Sequence, residues 1–375
     1  MTMPVPTKPL TALVVTALIG GAYFAANHRL PESKLAVVDL GCLEISNGTS
    51  EAAAINNAGE IVGDSYPSAF VWRKGRMMEL PMLQSALGSQ GGGFERHAYA
   101  INDNGVIVGD CDVGSDSGSG IGRGAYCAVK WEGGSVRNLG WLAGYIYSSA
   151  RQVTNNGLTV GLAIDEAHGP TSRESKEEVG VFDPQNTARP IQAKLFAAND
   201  VGDSVAAVNV DGRFRLILRS GKTMRTLHIF NPIETPYNLV INDRKQVAAT
   251  VHTADGGKFG AQSSRGEYVA AWLDASNCTI LPAIPGYPDT YCTDINNEGQ
   301  IVGTARDQRT YPPRERGVMW TGASVIDLTK AYAAGTDWVI TRAGGINDHG
   351  DIAGSGTEGT VRHAVLVHSN GDAAR

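Results

Sequence analysis

The chain is 375 residues long, carries a net charge of −6, and holds 46 glycines and only 7% aromatic residues. Its Lys and Arg residues are spread thinly, with no basic stripe to release counterions, which excludes a nucleic-acid-binding surface. Abundant glycine and few charges suit many turns and short strands rather than long helices.

The first 35 residues form a segment of their own. Residues 9–28, between Lys8 and Arg29, include no Asp, Glu, Lys or Arg, and 10–19 is an apolar run. A short positive start, an apolar stretch and small residues read as an export signal, with Gly20 and Ala22 as the −3/−1 pair of a cleavage site. As a helix the same stretch reaches roughly 30 Å, enough to cross a bilayer. A cleaved signal and an uncleaved anchor both place the remainder outside the cytoplasm, periplasmic or extracellular. In the second case residues 9–28 tether it to the inner membrane.

From there the chain repeats. Ala54-Ile55-Asn56-Asn57-Ala58-Gly59-Glu60-Ile61-Val62-Gly63 returns in similar form at 100–109, 294–303 and 345–354. Weaker copies centre on Asn155, Asn199 and Asn242. The anchors Asn56, Asn102, Asn155, Asn199, Asn242, Asn296 and Asn347 make seven copies spaced by roughly 49 residues. Each copy reads as four strands. A small-residue strand ends in Ile-Asn, and Asn-x-x-Gly turns the chain, since Asn bonds its own backbone and Gly tolerates positive φ. A second strand follows, then a third with aromatic residues, as in Ser68-Ala69-Phe70-Val71-Trp72, and a fourth ending in Leu.

The ends are complementary. Residues 36–41 match a fourth strand, and the last unit stops after a third strand at 362–367. The pattern predicts an all-β, seven-bladed β-propeller of four-stranded blades over 36–368, with the N-terminal strand closing the last blade and removing two exposed edges. Residues 369–375 read as a disordered tail.

The repeated Ala-Ile-Asn-x-x-Gly-x-Ile-Val-Gly, with Ser68-Ala69-Phe70-Val71-Trp72 and ends of the Asp39-Leu40-Gly41 type, resembles the HAF extracellular repeat family of bacteria. That family takes its name from a His-Ala-Phe tripeptide in the third strand. Here Ser68-Ala69-Phe70 lacks the His, and His363-Ala364-Val365 lacks the Phe. The resemblance spans roughly 36–368 and implies an exported propeller, without an assigned activity or catalytic residues to carry over.

Five cysteines occur, and Cys111/Cys127 and Cys278/Cys292 each flank an inter-strand loop, so both pairs are disulfide candidates. Cysteine and histidine show no metal-ligand spacing. Asp110, Asp112 and Asp116 in a Gly-rich stretch are a weak calcium candidate, with a solvated loop as the alternative. Long loops joining second to third and fourth to first strands share one face of the ring, where repeat scaffolds place their function. Trp141, Tyr145, Tyr147, Tyr287, Tyr291, Tyr311 and Trp338 fall in or beside them, as ligand contacts or as loop packing. No nucleophile elbow, zinc-protease motif or phosphate loop is present. The sequence therefore predicts a monomeric, non-enzymatic binding scaffold without cofactor, whose partner is an envelope protein or glycan. The alternative is a propeller hydrolase or lyase acting on extracellular polymers, and convergence of acidic and His side chains on the channel mouth would favour it.

Overall fold

The computed structural model describes residues 37–83, 95–113, 126–142, 145, 147–164, 177–182, 188–253, 267–273 and 278–368. The export segment, the tail and Asp116 lie outside them. Among the described residues no helix is long and apolar enough to cross a membrane.

Among the described residues twenty-eight strands form seven four-stranded antiparallel sheets arranged as the blades of a ring. Blade 1 is β2–β5 (Glu51–Ile55, Ile61–Ser65, Ser68–Arg73, Arg76–Glu79), and blade 2 is β6–β9 (Arg96–Ile101, Ile107–Asp112, Tyr126–Glu132, Ser135–Gly140). Blade 3 is β10–β13 (Tyr147–Val153, Thr159–Ile164, Glu177–Phe182, Ala188–Ile191), and blade 4 is β14–β17 (Leu195–Ala198, Ser204–Val210, Arg213–Ser220, Thr223–Ile229). Blade 5 is β18–β21 (Glu234–Ile241, Val247–Thr253, Glu267–Leu273, Cys278–Ile280), and blade 6 is β22–β25 (Asp289–Ile295, Gln300–Asp307, Arg314–Thr321, Ser324–Asp327). Blade 7 takes β26–β28 (Trp338–Ile346, Ile352–Glu358, Val361–Val367) from the C-terminus and β1 (Val37–Asp39) from the N-terminus, with Val38 opposite Leu366. The predicted closure is therefore present.

Buried apolar residues lie between neighbouring blades, because each sheet hides both faces. Six seams hold such a cluster among the described residues; Val62, Ala69, Ala98, Val129 and Trp131 join blades 1 and 2, for example. The seam of blades 3 and 4 is bridged by Gln152, which donates to Ala198 O at 2.8 Å and accepts its N–H at 3.1 Å. At other seams a hydroxyl clamps the first strand to the preceding blade. Ser50, Ser148 and Thr290 accept the N–H of Ala364, Ala128 and Ala270 at 2.8–2.9 Å. One element was not anticipated in the 329–340 loop: helix α1 (Leu328–Tyr332), capped by Asp327 and burying Leu328 and Tyr332.

Candidate ligand-binding site in the channel

The innermost strands surround a channel with two unlike ends. At one end lie the Asn-x-x-Gly turns. The Asn56 side-chain oxygen accepts the N–H groups of Ala58 and Glu60 at 3.1 and 2.9 Å, as a turn-forming Asn does. Its amide then donates to the carbonyl of Asn102 in the next blade. The same bond runs from Asn102 to Thr154, Asn199 to Asn242, Asn242 to Asn296, Asn296 to Asn347 and Asn347 to Asn56, at 2.8–3.3 Å. The blade 3 anchor is therefore Thr154 rather than Asn155. Thr154 donates its N–H to Leu158 O at 3.0 Å, and its hydroxyl accepts Leu158 N–H at 3.1 Å, so a threonine forms the turn. It has no amide to send to Asn199, and there the ring is broken.

Asn155 belongs to a second ring, one residue on, which is complete. The backbone N–H groups of Asn57, Asp103, Asn155, Asp200, Asp243, Asn297 and Asp348 each donate to the next member's side-chain oxygen, at 2.5–3.0 Å. These four aspartates and three asparagines border a cavity of about 170 Å³. Seven is odd, so alternation fails once and Asp200 stands beside Asp243. Burial raises the Asp200 carboxyl, the Asn155 N–H opposes that, and Asp243, Asp103 and Asp348 add to it. These oxygens bond the ring's own N–H groups, and among the described residues no group of three His, Cys, Asp or Glu is placed for a metal. The narrow end ties the blades together.

The other end, on the long-loop face, opens into a basin of about 600 Å³. Its lining follows from β-bulges, which re-aim one side chain. The innermost strand bulges at Ala53, Tyr99, Arg151, Thr293 and Gly344, three residues before the anchor in blades 1, 2, 3, 6 and 7, and at Tyr237 in blade 5. All of these except Arg151 line the basin. Arg151 lies over the Tyr99 ring, 3.7 Å from its centroid.

Two chemistries share the basin. Towards blades 5 and 6, Tyr237, Tyr268 and Tyr291 form an aromatic wall. Tyr268 meets Tyr237 edge-on at 5.4 Å and Tyr291 at 4.9 Å, with His252 behind it at 4.7 Å. Arg306, Arg342, Glu51 and Glu315 continue the lining towards blade 7. Towards blades 1 and 2, Asp64 accepts the Ala98 N–H at 3.1 Å and meets His97 Nδ1 at 2.8 Å. Burial disfavours the charge on His97, but the Asp64 hydrogen bond and the carboxylates of Asp64, Asp110 and Glu95 outweigh it and hold its pKa above the ordinary value. Asp110 is fully buried beside Tyr147, and burial raises its carboxyl against the pull of Ser149, Arg151 and His97. Burial raises the phenols of Tyr99 and Tyr126 and pushes Tyr147 up to about 12. Of this group Asp64 and Tyr99 line the basin, and His97 stands against Asp64.

Of the seven aromatic candidates, only Tyr291 lines the basin. Trp141 donates to Tyr126 O at 3.2 Å and packs on the core of blades 1 and 2. Tyr145 bonds Glu178 at 2.6 Å. Tyr147 packs on Tyr126 and faces Asp110. Tyr287 and Trp338 lie on the cores of blades 5/6 and 6/7. Tyr311 is fully exposed. Loops leaving the outermost strands fall back on the blade seams, so their aromatics pack there instead of converging on the axis. Sequence reasoning passed over Tyr99, Arg151, Arg306, Arg342, Glu51, Glu315, Asp64 and Tyr268. Bulge residues carry a readable signal in five blades, the motif glycine seven after the anchor.

Cys111 and Cys127 stand opposite each other on β7 and β8, both buried. Burial pushes the Cys111 thiol up to about 12. Cys278 packs on the core of blades 4 and 5, and Cys292 is in that of blades 5 and 6. All five cysteines are free. Of the calcium candidates, Asp110 is turned into the blade 2/3 seam.

No family model matches this chain, and no curated protein does. Solved structures do. An acylaminoacyl peptidase in complex with Z-Gly-Gly-Phe-chloromethyl ketone is 8% identical, with a TM-score of 0.51 over 85% of this chain and 51% of its own. The acylaminoacyl peptidase of Pyrococcus horikoshii is 7% identical, with a TM-score of 0.50 over 86% of this chain and 52% of its own. An ulvan lyase of polysaccharide lyase family PL25 is 11% identical, with a TM-score of 0.45 over 90% and 95%. This chain spans about half the length of the peptidases it matches. At such identities the likeness is one of fold alone.

Proposed function

We propose that this chain is an exported, monomeric propeller of the HAF-repeat type that binds a glycan of the cell envelope or exterior in the wide mouth of its channel. Export rests on the charge-free stretch 9–28, and the resemblance rests on the repeated motif. The observation that carries the binding role is the wall of Tyr237, Tyr268 and Tyr291 beside a basin of about 600 Å³. A sugar ring presents a face of C–H bonds, whose partial positive charge suits the negative face of a tyrosine ring. Retention of the purified chain on immobilised envelope polysaccharide, lost on combining Tyr268→Ala with Tyr291→Ala, is the expected result. No retention, or retention indifferent to those changes, overturns the reading.

A hydrolase or lyase is the second reading, and the Asp64–His97 pair favours it. A carboxylate on Nδ1 leaves Nε2 as the atom that exchanges a proton with a bound molecule. Release of new polymer ends, abolished by His97→Gln with binding retained, would make this chain an enzyme.

A further inference from the structure

We propose, building on the glycan reading above, that the ligand is an uncharged pyranoside whose adjacent hydroxyls bridge guanidinium and carboxylate groups around Glu315. Three arginines surround this carboxylate without gripping it. Arg306 Nε stands at 3.5 Å from Glu315, Arg362 Nη2 at 3.9 Å and Arg342 Nε at 4.0 Å. Direct charge-assisted hydrogen bonds run shorter, at roughly 2.7–2.9 Å. The Nε group of Arg306 is buried and meets no acceptor in hydrogen-bonding geometry, whereas Arg362 Nε faces Glu51. Glu51 takes the closer contacts, with Arg342 Nη1 at 3.1 Å and Arg362 Nε at 3.0 Å. The fork around Glu315 therefore holds donors and an acceptor that are mutually near but loosely joined.

A hydroxyl is the group that such a gap accommodates, because it accepts from a guanidinium and donates to a carboxylate at once. Two neighbouring hydroxyls on a sugar ring make two such bridges. The Tyr268 and Tyr291 rings stand beside the fork in the same basin, so one pyranose can stack and bridge together.

Charge decides against an acidic sugar. The basin lining holds Arg306 and Arg342 against Glu51, Glu315 and Asp64. With Arg362 of the fork counted, three guanidiniums face three carboxylates and are already matched, and Asp289, the register partner of Arg306, adds another carboxylate nearby. Four aspartates stand at the far end of the channel, and the whole chain carries −6. An anionic ligand gains nothing in such a field.

Calorimetric titration of the full-length chain with maltohexaose, cellohexaose, mannohexaose and tetragalacturonate, at low and high salt, tests this. A neutral hexaose is expected to bind with an affinity that salt leaves within about twofold, since no net charge is screened. Glu315→Gln is expected to weaken it on the order of tenfold, as is Tyr237→Ala. The second variant replaces a ring that is 61% exposed, and so keeps the test valid if the first unfolds. Binding of tetragalacturonate alone, falling with salt, overturns the uncharged ligand and leaves the glycan site standing. Neutral binding indifferent to both variants overturns the assignment to the Glu315 fork. Absence of binding by all four sugars overturns the inference and the glycan reading together.

Discussion

A Cβ placed on Gly303 would lie 1.8 Å from the carbonyl oxygen of Tyr291 on the neighbouring strand. The bulge at Thr293 pushes that carbonyl inward, and only a residue without a side chain fits beneath it. Gly63, Gly109, Gly161 and Gly354 meet the carbonyls of Glu51, His97, Ser149 and Arg342 at 1.8–2.1 Å in the same way. Blades 4 and 5 place Ala206 and Ala249 at this position, and there the strand pairs Phe196 and Leu239 with them without a bulge. Glycine and bulge therefore occur together. Gly303→Ala is expected to cost about 2–3 kcal/mol by overpacking, measured by denaturant unfolding. Ala249→Gly, which frees no trapped carbonyl, is expected to cost only about 0.5–1 kcal/mol in chain entropy. Equal losses would refute the coupling.

The anchor ring makes a second prediction. Asn296 uses its side chain for four bonds: its oxygen accepts the N–H groups of Glu298 and Gln300, and its amide donates to Gln300 Oε1 and to Asn347 O. Asn296→Ala leaves these buried groups unpaired, at about 2–3 kcal/mol. Thr154→Asn supplies the missing amide opposite Asn199 and is expected to add about 1 kcal/mol. A loss with Thr154→Asn would show that the threonine is preferred for its own bonds to Asn156 and Leu158.

The same break, together with the lack of a buried apolar cluster there among the described residues, makes the seam of blades 3 and 4 the weakest joint in the ring. Hydrogen exchange is expected to open β14 before the other innermost strands. Uniform protection around the ring would contradict this.

Closure depends on few contacts. Ser50 accepts the Ala364 N–H at 2.8 Å and donates to Gly41 O at 2.5 Å, fixing the turn after β1 to the last blade. Ser50→Ala is expected to lower stability by about 2–3 kcal/mol through two unpaired backbone groups, and to speed exchange in β28.

Asp294 predicts a pH dependence. Burial pushes its carboxyl up to about 6, although the N–H groups of Ile346 and Ile295 favour the ionised form. A carboxyl raised in the folded state adds stability below its unfolded pKa, and that stability is lost as the pH rises through about 6. Asp294 is only half-buried and borders the narrow-end cavity, so the swing is about 1–2 kcal/mol. Asp294→Asn is expected to flatten this part of the stability profile between acid and neutral pH. A profile unchanged by Asp294→Asn would assign the titration elsewhere.

The repeat was legible because a propeller is built from local events. Asn56 with Gly59 makes a turn within one segment, and the motif glycine on a second strand records a bulge on the neighbouring first strand. Seven such turns, with residues 36–41 matching the strand that the last unit lacks, were sufficient for blade number and closure. The anchor of blade 3 was misplaced by one residue, because Thr154 performs the turn with a hydroxyl and an Asn happens to follow it.

The site was hardly legible. Of the long-loop aromatics, read as ligand contacts or as loop packing, Trp141, Tyr287 and Trp338 pack into seams, while Tyr268 on β20 and Tyr99 on β6 face the basin. Arg306, Arg342, Glu51 and Glu315 come from four strands of three blades and have no shared spacing. The repeat, the turns and the glycines can be read along the chain, because each depends on residues near one another in sequence. Which side chains meet around Glu315 emerges from the folded ring, because it depends on how far each blade is rotated about the axis and on where its innermost strand bulges.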